Sequence, residues 1–394
     1  MDGRESGAAD QEDAMTGTQW AAAYCLLAVS IQMLSALIAI SRCAKRTAPM
    51  PPRAGAPAVS IVRPLCGIDP FARETLASTF ALDYPAYEIL FCLADGDDPV
   101  APIVRRLVEA HPHVKARLLI GDDRPSSNPK LNNVVKGWKA AAHSWIIIAD
   151  SNVLMPADYV QRLMARWRAN TGIVCAPPIG SAPGSFAAEI ECAFLNTYQA
   201  RWQYAGESCG FGFAQGKTML WRRPVLEAGG GIEALGAEIA EDAAATKLIH
   251  KAGLRAHLVD APFVQPLGPR KWGEVWARQL RWARLRRATF PLHFAPELLT
   301  SGLLAFIAAF FGASEFGLDP AVAVPIAALA WYGSEAALAR AAGWRLSLRS
   351  VPAWMARDLA LPWLWAQAWA SNNFVWRGNA MSVAEDEGGV AARR

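Results

Sequence analysis

Asn128-Pro129-Lys130-Leu131-Asn132-Asn133 opens a helical dozen that leads into Trp145-Ile146-Ile147-Ile148-Ala149-Asp150-Ser151-Asn152, and the reading of this stretch decides the fold. Trp145 to Ala149 is short, apolar and Ile-rich, the pattern of a fully buried strand. It stops on Asp150, Ser151 and Asn152. A carboxylate at the carboxyl end of a buried strand lies on the rim of a parallel sheet, where open α/β folds bind ligands. Asp150 with the amide of Asn152 is suited to a hard divalent cation whose shell substrate phosphates complete. The plain alternative is that Asp150 caps a helix opened by Pro156.

Working outward, strands and helices alternate. Val59 to Pro64, Glu88 to Ala94 and Lys115 to Ile120 read as strands. Phe71 to Leu82, Val100 to Ala110 and Lys130 to Ala142 read as helices. Such alternation predicts a doubly wound α/β fold with a mostly parallel sheet. No GxGxxG follows the first strand, and no GKS or GKT completes a P-loop, which disfavours both nucleotide folds. Downstream, the pattern predicts a helix over 156–170, a strand over 172–176 and a loop over 177–184. A long amphipathic segment over 186–204 and a Gly-rich, strand-like stretch over 210–221 come next. A helix over 237–251, a strand over 255–259 and an Arg- and Trp-rich helix over 271–289 complete the series.

The chain has 394 residues, of which 53% are hydrophobic and only 19% charged, with sixteen Trp. That balance is too apolar for a typical soluble protein and points to membrane segments. A net charge of +4 suits an anionic membrane face or phosphate ligands and makes no case for nucleic acid. Residues 1–18 are small, polar and acidic and read as disordered. Trp20 to Ile40 is uncharged over about twenty residues, the length of a bilayer-spanning helix. Arg42, Lys45 and Arg46 follow it and place that end in the cytoplasm. Two more apolar spans are expected at 298–313 and 321–338. A third block, 351–370, carries Arg357 and Asp358 near one end and is expected to be interfacial or re-entrant. The expected organisation is a tail (1–18), an anchor (19–41), a catalytic domain (57–290), C-terminal membrane helices (291–375) and a cytoplasmic tail (376–394). Seven cysteines without a CxxC pair or a His cluster read as buried thiols.

Four acidic clusters fall at strand ends or helix starts: Asp95 to Asp98, Asp122-Asp123, Asp150 and Glu241-Asp242. Carboxylates crowded on one rim repel, so a metal or cationic ligand is their natural partner. Glu241-Asp242 also suits a helix start through the dipole alone, or a general base near an acceptor hydroxyl. Lys130 at a Pro-opened helix start suits a phosphate. Arg278 and Arg281, three apart on one helical face, suit a diphosphate or a basic face resting on headgroups.

In combination these motifs resemble the ceramide glucosyltransferase family, glycosyltransferase family 21, among the GT-A glycosyltransferases. Asp95 in Ala-Asp-Gly-Asp-Asp-Pro matches the first acidic motif, Asp150 in Asp-Ser-Asn the second and Asp242 in Glu-Asp the third. Arg278, Arg281 and Trp282 match the terminal (Q/R)xxRW, and Asn-Pro-Lys matches the stretch between the first two acids. The resemblance implies a GT-A (Rossmann-like) catalytic domain with flanking transmembrane or interfacial helices. It implies a UDP-sugar donor, a divalent metal (Mg²⁺ or Mn²⁺) on Asp150 and Asn152, and inverting transfer to a ceramide hydroxyl. It further implies a bacterial inner-membrane protein whose catalytic domain faces the cytoplasm. Asn152, where the motif has a second acid, leaves the metal leaning on Asp150 and the phosphates. Asp242 is expected as catalytic base. Asp95 and Asp97, Lys130, Asp150, Arg278, Arg281 and Trp282 are expected to hold the nucleotide sugar. The segment 186–213 is a candidate acceptor wall, or an ordinary core helix and strand. A transferase for a hopanoid or other lipid alcohol, a processive polysaccharide synthase and an inactive membrane scaffold remain alternatives.

Overall fold

The computed structural model describes residues 15–44, 49–376 and 379–383. Most of the expected N-terminal tail, Lys45 and Arg46 of the basic cluster, and residues 384–394 lie outside the described residues.

Eleven strands are described: β1 (Val59–Pro64), β2 (Tyr87–Leu93), β3 (Lys115–Ile120), β4 (Trp145–Ala149), β5 (Thr171–Cys175), β6 (Ile179–Pro183), β7 (Thr218–Arg222), β8 (Arg255–Leu258), β9 (Val264–Gly268), β10 (Asn373–Trp376) and β11 (Asn379–Ser382). Seven form the main sheet in the order β3-β2-β1-β4-β7-β5-β8. Every neighbouring pair is parallel except those of β7, which runs antiparallel to both β4 and β5. The central strands β1 and β4 are buried along almost all of their length, as a sheet covered on both faces requires, and Ile146, Ile147 and Ile148 are fully buried.

The predicted alternation holds up to β4, with shifts of one or two residues at element ends. Beyond it the structure departs in several places, among them the unexpected strand β9 and a helix that begins at Glu241 and not at 237. The expected 156–170 helix is one short helix, Tyr159–Met164. The expected loop over 177–184 contains β6, which pairs in parallel with β9 in a separate two-stranded sheet. Its Ile-Gly-Ser-Ala-Pro sequence has neither apolar alternation nor a β-branched run, so only the distant partner makes it a strand. The Gly-rich stretch before β7 is loop up to Lys217.

The 186–213 segment is a continuous helical run from Phe186 to Ser208, interrupted by a π-helical stretch at Phe194–Ala200. It is mostly core. Its residues join one hydrophobic cluster that runs from Val62 and Ile148 in the sheet to Ala36 and Ala39 of the first helix and to Leu338 and Trp354.

Among the described residues, two helices are long and apolar enough to cross a membrane, Gly17–Cys43 and Pro320–Ala342. The pair Pro291–Thr300 and Gly302–Phe316, bent by 52°, adds a third crossing if it acts as one span. The first helix crosses this pair closely: a Cβ on Gly312 would come within 2.6 Å of the Ala22 backbone nitrogen. The Ser350–Ala370 helix corrects the expectation of charges set against headgroups. Arg357 and Asp358 are buried, and Arg357 pairs with buried Glu335 at 2.7 Å. Thr197 of the π-helical stretch donates to Glu335 at 2.6 Å, and Gln32 of the first helix donates to it at 3.2 Å. Fully buried charges persist only when paired and hydrogen-bonded in this way. Arg201 adds a hydrogen bond to Ser35. Glu335 is thereby tied to the first helix, the Phe194–Ala200 stretch and the Ser350–Ala370 helix.

Candidate active site

The parallel run β2-β1-β4 brings the ends of β2 and β4 to one edge, so Asp95 and Asp150 share a rim, as the sequence predicts. Asp95 is exposed, and its Oδ1 accepts the Asp97 N–H at 2.9 Å. Asp97 is exposed as well, whereas Asp98 is spent on the turn, accepting from Gly67 and Val100 N–H groups. Asp122 lies on an exposed loop and pairs with Arg124.

Asn128 caps the Pro129–Ala140 helix, its Oδ1 accepting from Lys130 and Leu131 N–H at 2.9 and 3.1 Å. Its Nδ2 donates across the chain to Glu241 Oε2 at 2.9 Å. The cap therefore fixes Lys130 beside the third acidic motif. Lys130 Nζ lies 2.7 Å from Asp150 Oδ1, 2.5 Å from Glu241 Oε1 and 2.7 Å from the Gly216 carbonyl oxygen. Antiparallel pairing of β7 with β4 sets Lys217 opposite Asp150, whose N–H donates to the Lys217 carbonyl at 3.1 Å. The Lys217 ammonium then reaches Asp150 Oδ2 at 2.8 Å and Asn152 Oδ1 at 3.1 Å. Beneath the rim, buried Arg63 donates to the carbonyls of Asp150, Ser151 and Val153 and braces the loop from inside.

Asp242, in the first turn of the Glu241–Lys251 helix, accepts the Gly216 N–H on Oδ2 at 3.0 Å and its neighbour Ala243 N–H on Oδ1 at 2.9 Å. A Cβ on Gly216 would stand 3.0 Å from Glu241 Oε1, 3.2 Å from Asp242 Oδ2 and 3.3 Å from Lys130 Nζ. The second and third acidic motifs and the Asn-Pro-Lys stretch thus converge on one glycine.

The charges sort themselves by surroundings. Burial pushes the Asp242 carboxyl up to about 6, with the adjacent Glu241 adding to the rise and Lys130 opposing it. Burial works against the Asp150 carboxylate too, but Lys130 and Lys217 outweigh it and hold that group far below the usual range. Burial disfavours the Lys130 ammonium, yet Asp150 and Glu241 keep it charged. Lys217 is lowered, first by burial, with Arg278 and Lys130 adding to the effect. A carboxylate at about 6 beside one held ionised is the separation expected of an acid–base group and a fixed charge.

The expected metal ligands are engaged otherwise. Each Asp150 oxygen carries an ammonium, and the Asn152 amide oxygen carries the second of them. Among the described residues, no group of three or more His, Cys, Asp or Glu is arranged to hold a metal ion. As arranged, one saturated carboxylate and one amide do not fit a divalent cation, which prefers a fuller set of oxygens.

The (Q/R)xxRW residues lie on the Trp272–Thr289 helix but do not form a shared clamp. Arg278 pairs with buried Glu191, Arg281 stands over the Trp376 ring at 5.5 Å, and Trp282 packs on Ala188, Cys192, Leu195 and Leu267. Lys217, Gly216 and Arg63 are site residues that the sequence reading missed. Only the antiparallel placement of β7 gives Lys217 its position, and strand alternation carries no sign of it.

The mixed, mostly parallel sheet, its acidic rim and the apolar helices beside it define a GT-A-like glycosyltransferase fold. The chain matches Glycosyl transferase family 21 over residues 22–388 and belongs to that family. It is 27% identical to ceramide glucosyltransferase 3 of Caenorhabditis elegans over 338 residues, covering 83% of this chain and 73% of that protein. It is 28% identical to ceramide glucosyltransferase 1 of the same organism over 254 residues, 63% of this chain and 54% of that protein. Among solved structures it is similar to the mannosyltransferase PcManGT of Pyrobaculum calidifontis in complex with GDP-Man and Mn²⁺, with 19% identity, 89% of this chain and 97% of that one covered, and a TM-score of 0.44.

Proposed function

We propose that this family 21 enzyme transfers a hexose, glucose in the first instance, from a UDP-sugar to the primary hydroxyl of ceramide. Asp242 takes the hydroxyl proton as the acceptor oxygen attacks the anomeric carbon. The new C–O bond forms on one face while the bond to the diphosphate breaks on the other, and UDP leaves with the electron pair. The observation that carries this reading is the convergence of Asp242, Glu241, Lys130 and Asp150 around Gly216. Such a site offers a base and two ammonium groups side by side, suited to a reaction that releases a proton and a diphosphate.

Asp95 and Asp97, exposed on the same rim, hold the uridine end of the donor. Lys130 and Lys217 face the diphosphate, and Arg278, whose charge acts on Lys217, adds to the positive field, while Arg281 and Trp282 hold their helix in place. No step is assigned to a divalent ion.

The catalytic region faces the cytoplasm of a bacterial inner membrane in this reading. Arg42, at the end of the first helix, pairs with Glu207 at 2.8 Å and Asp260 at 2.5 Å, and Arg345, past the Pro320–Ala342 helix, pairs with Glu189 at 3.1 Å. Both basic helix ends therefore meet the catalytic region, which agrees with cations retained on the cytoplasmic side.

The test is mass spectrometry of lipids made by the purified protein from a panel of UDP-sugars with ceramide. The expected product is a monohexosylceramide, formed more slowly by about a hundredfold or more with Asp242→Asn. Failure to glycosylate ceramide with any donor overturns the reading.

A further inference from the structure

We propose that Phe211, Phe213, Phe290 and His293 form a portal through which a lipid alcohol passes its hydroxyl from the bilayer surface to Asp242. The proposal rests on the reading of Asp242 as base and names the acceptor-binding residues of that site.

The four rings make one cluster. Phe213 lies 4.9 Å from Phe290 and 5.2 Å from His293, and Phe211 lies 6.0 Å from His293. Phe211 is 58% exposed and neighbouring Leu292 88%, so the cluster opens to the outside.

On its inner side the cluster is fastened to the helix that carries Asp242. His250 Nε2 donates to the Gly212 carbonyl at 3.1 Å, Ala214 N–H donates to Thr246 Oγ1 at 2.9 Å, and Gly216 N–H donates to Asp242 itself at 3.0 Å. Three residues of chain span at most about 11 Å, so Phe213 is held within that distance of Gly216. Lys247, on the same helix, stands 5.9 Å from the Phe290 ring.

On its outer side the cluster leads to the membrane elements. Phe290 ends the Arg-rich helix, and Pro291 begins the bent pair that continues into the apolar Gly302–Phe316 segment. Aromatic rings and exposed leucines at such a junction suit the bilayer interface. An acceptor with alkyl chains needs an apolar rest beside the base, so that its hydroxyl reaches Asp242 while its chains stay out of water. The 186–208 helix, buried in the core, cannot supply that rest. Just beyond its end, Phe211 reaches the surface.

The experiment uses full-length protein in detergent micelles, with Phe213→Ala and Phe290→Ala assayed against long-chain and short-chain ceramide. KM for the long-chain acceptor is expected to rise at least tenfold in each variant. KM for UDP-sugar should stay within twofold, and the acceptor effect should shrink with the short-chain analogue. Phe213→Leu should recover much of the loss, since it restores apolar area. Unchanged acceptor KM, or equal increases for long and short chains, overturns the portal while leaving the proposed reaction intact. Absence of transfer to ceramide by the unaltered protein overturns both.

Discussion

Lys130 Nζ lies 2.5 Å from Glu241 Oε1, and the same ammonium reaches Asp150 Oδ1 at 2.7 Å. One side chain from the Asn-Pro-Lys stretch therefore joins the second acidic motif to the third. All three side chains are largely buried, at 13%, 20% and 8% exposure. Removing the shared cation leaves two carboxylates close together with little water. Lys130→Met is expected to cost about 3 kcal/mol of stability, the scale for breaking a buried pair. It should lower turnover at least a hundredfold. Thermal unfolding in detergent and UDP release measure the two effects separately, and a variant within twofold of the parent in both would remove Lys130 from the site.

The pH profile follows from Asp242. Its folded-state value is raised to about 6, so the group is protonated, and unable to accept a proton, below that pH. kcat/KM for transfer should rise with pH through about 6 and fall tenfold per unit on the acid side. Glu241→Gln takes away the neighbouring negative charge and should move this limb to lower pH. Asp242→Asn should reduce kcat by about a hundredfold or more while leaving UDP-sugar binding, measured by titration, close to unchanged. An acid limb unmoved in Glu241→Gln would separate the observed ionisation from Asp242.

Gly216 is the point of convergence, and its lack of a side chain leaves room for Glu241, Asp242 and Lys130 to meet there. In Gly216→Ala the added methyl meets two carboxylate oxygens and an ammonium at 3.0–3.3 Å. Those groups must move by a few tenths of an ångström, and Lys130 loses its best geometry toward the Gly216 carbonyl. Turnover should fall at least tenfold, with thermal stability lowered by less than in Lys130→Met. Unaltered kinetics would show the pocket to be looser than these distances describe.

Lys217 competes for the oxygens that a cation would use. Replacing it in Lys217→Met vacates Asp150 Oδ2 and Asn152 Oδ1 together. Mn²⁺ affinity, measured by calorimetric titration of the protein with the ion alone, should increase at least tenfold in this variant. Equal affinity in the two proteins would mean that Lys217 does not occupy the ion's place.

Much of the fold could be read ahead of the structure because burial writes itself plainly into sequence. Ile146, Ile147 and Ile148 announce a strand covered on both faces, and Asp150 at its end announces a rim. The same logic fails for β6 and β7, whose roles depend on partners far along the chain. β6 looks like loop until Val264–Gly268 lies beside it. The antiparallel course of β7 decides that Lys217 meets Asp150. Of the expected site, Asp150, Asp242 and Lys130 come together, whereas Arg278 turns to Glu191 and Arg281 to Trp376. Helical spacing put these two arginines on one face but carried no information about which neighbour each would choose. Arg357 and Asp358 were visible as costly charges in an apolar block. Glu335, the partner of Arg357, lies in another helix, so the internal ion pair was not readable.

That ion pair bears on how the enzyme can be handled. Gln32, Thr197, Glu335 and Arg357 bond to one another across four otherwise separate pieces of chain, and Arg201 leans on Ser35. Clipping off the first helix to liberate a water-soluble fragment would strip Glu335 and Arg201 of these partners and bare the seam formed by Ala36, Ala39 and Cys43. The anchor is thus no detachable tether: its inner half is masonry of the catalytic body, and the protein must be purified whole.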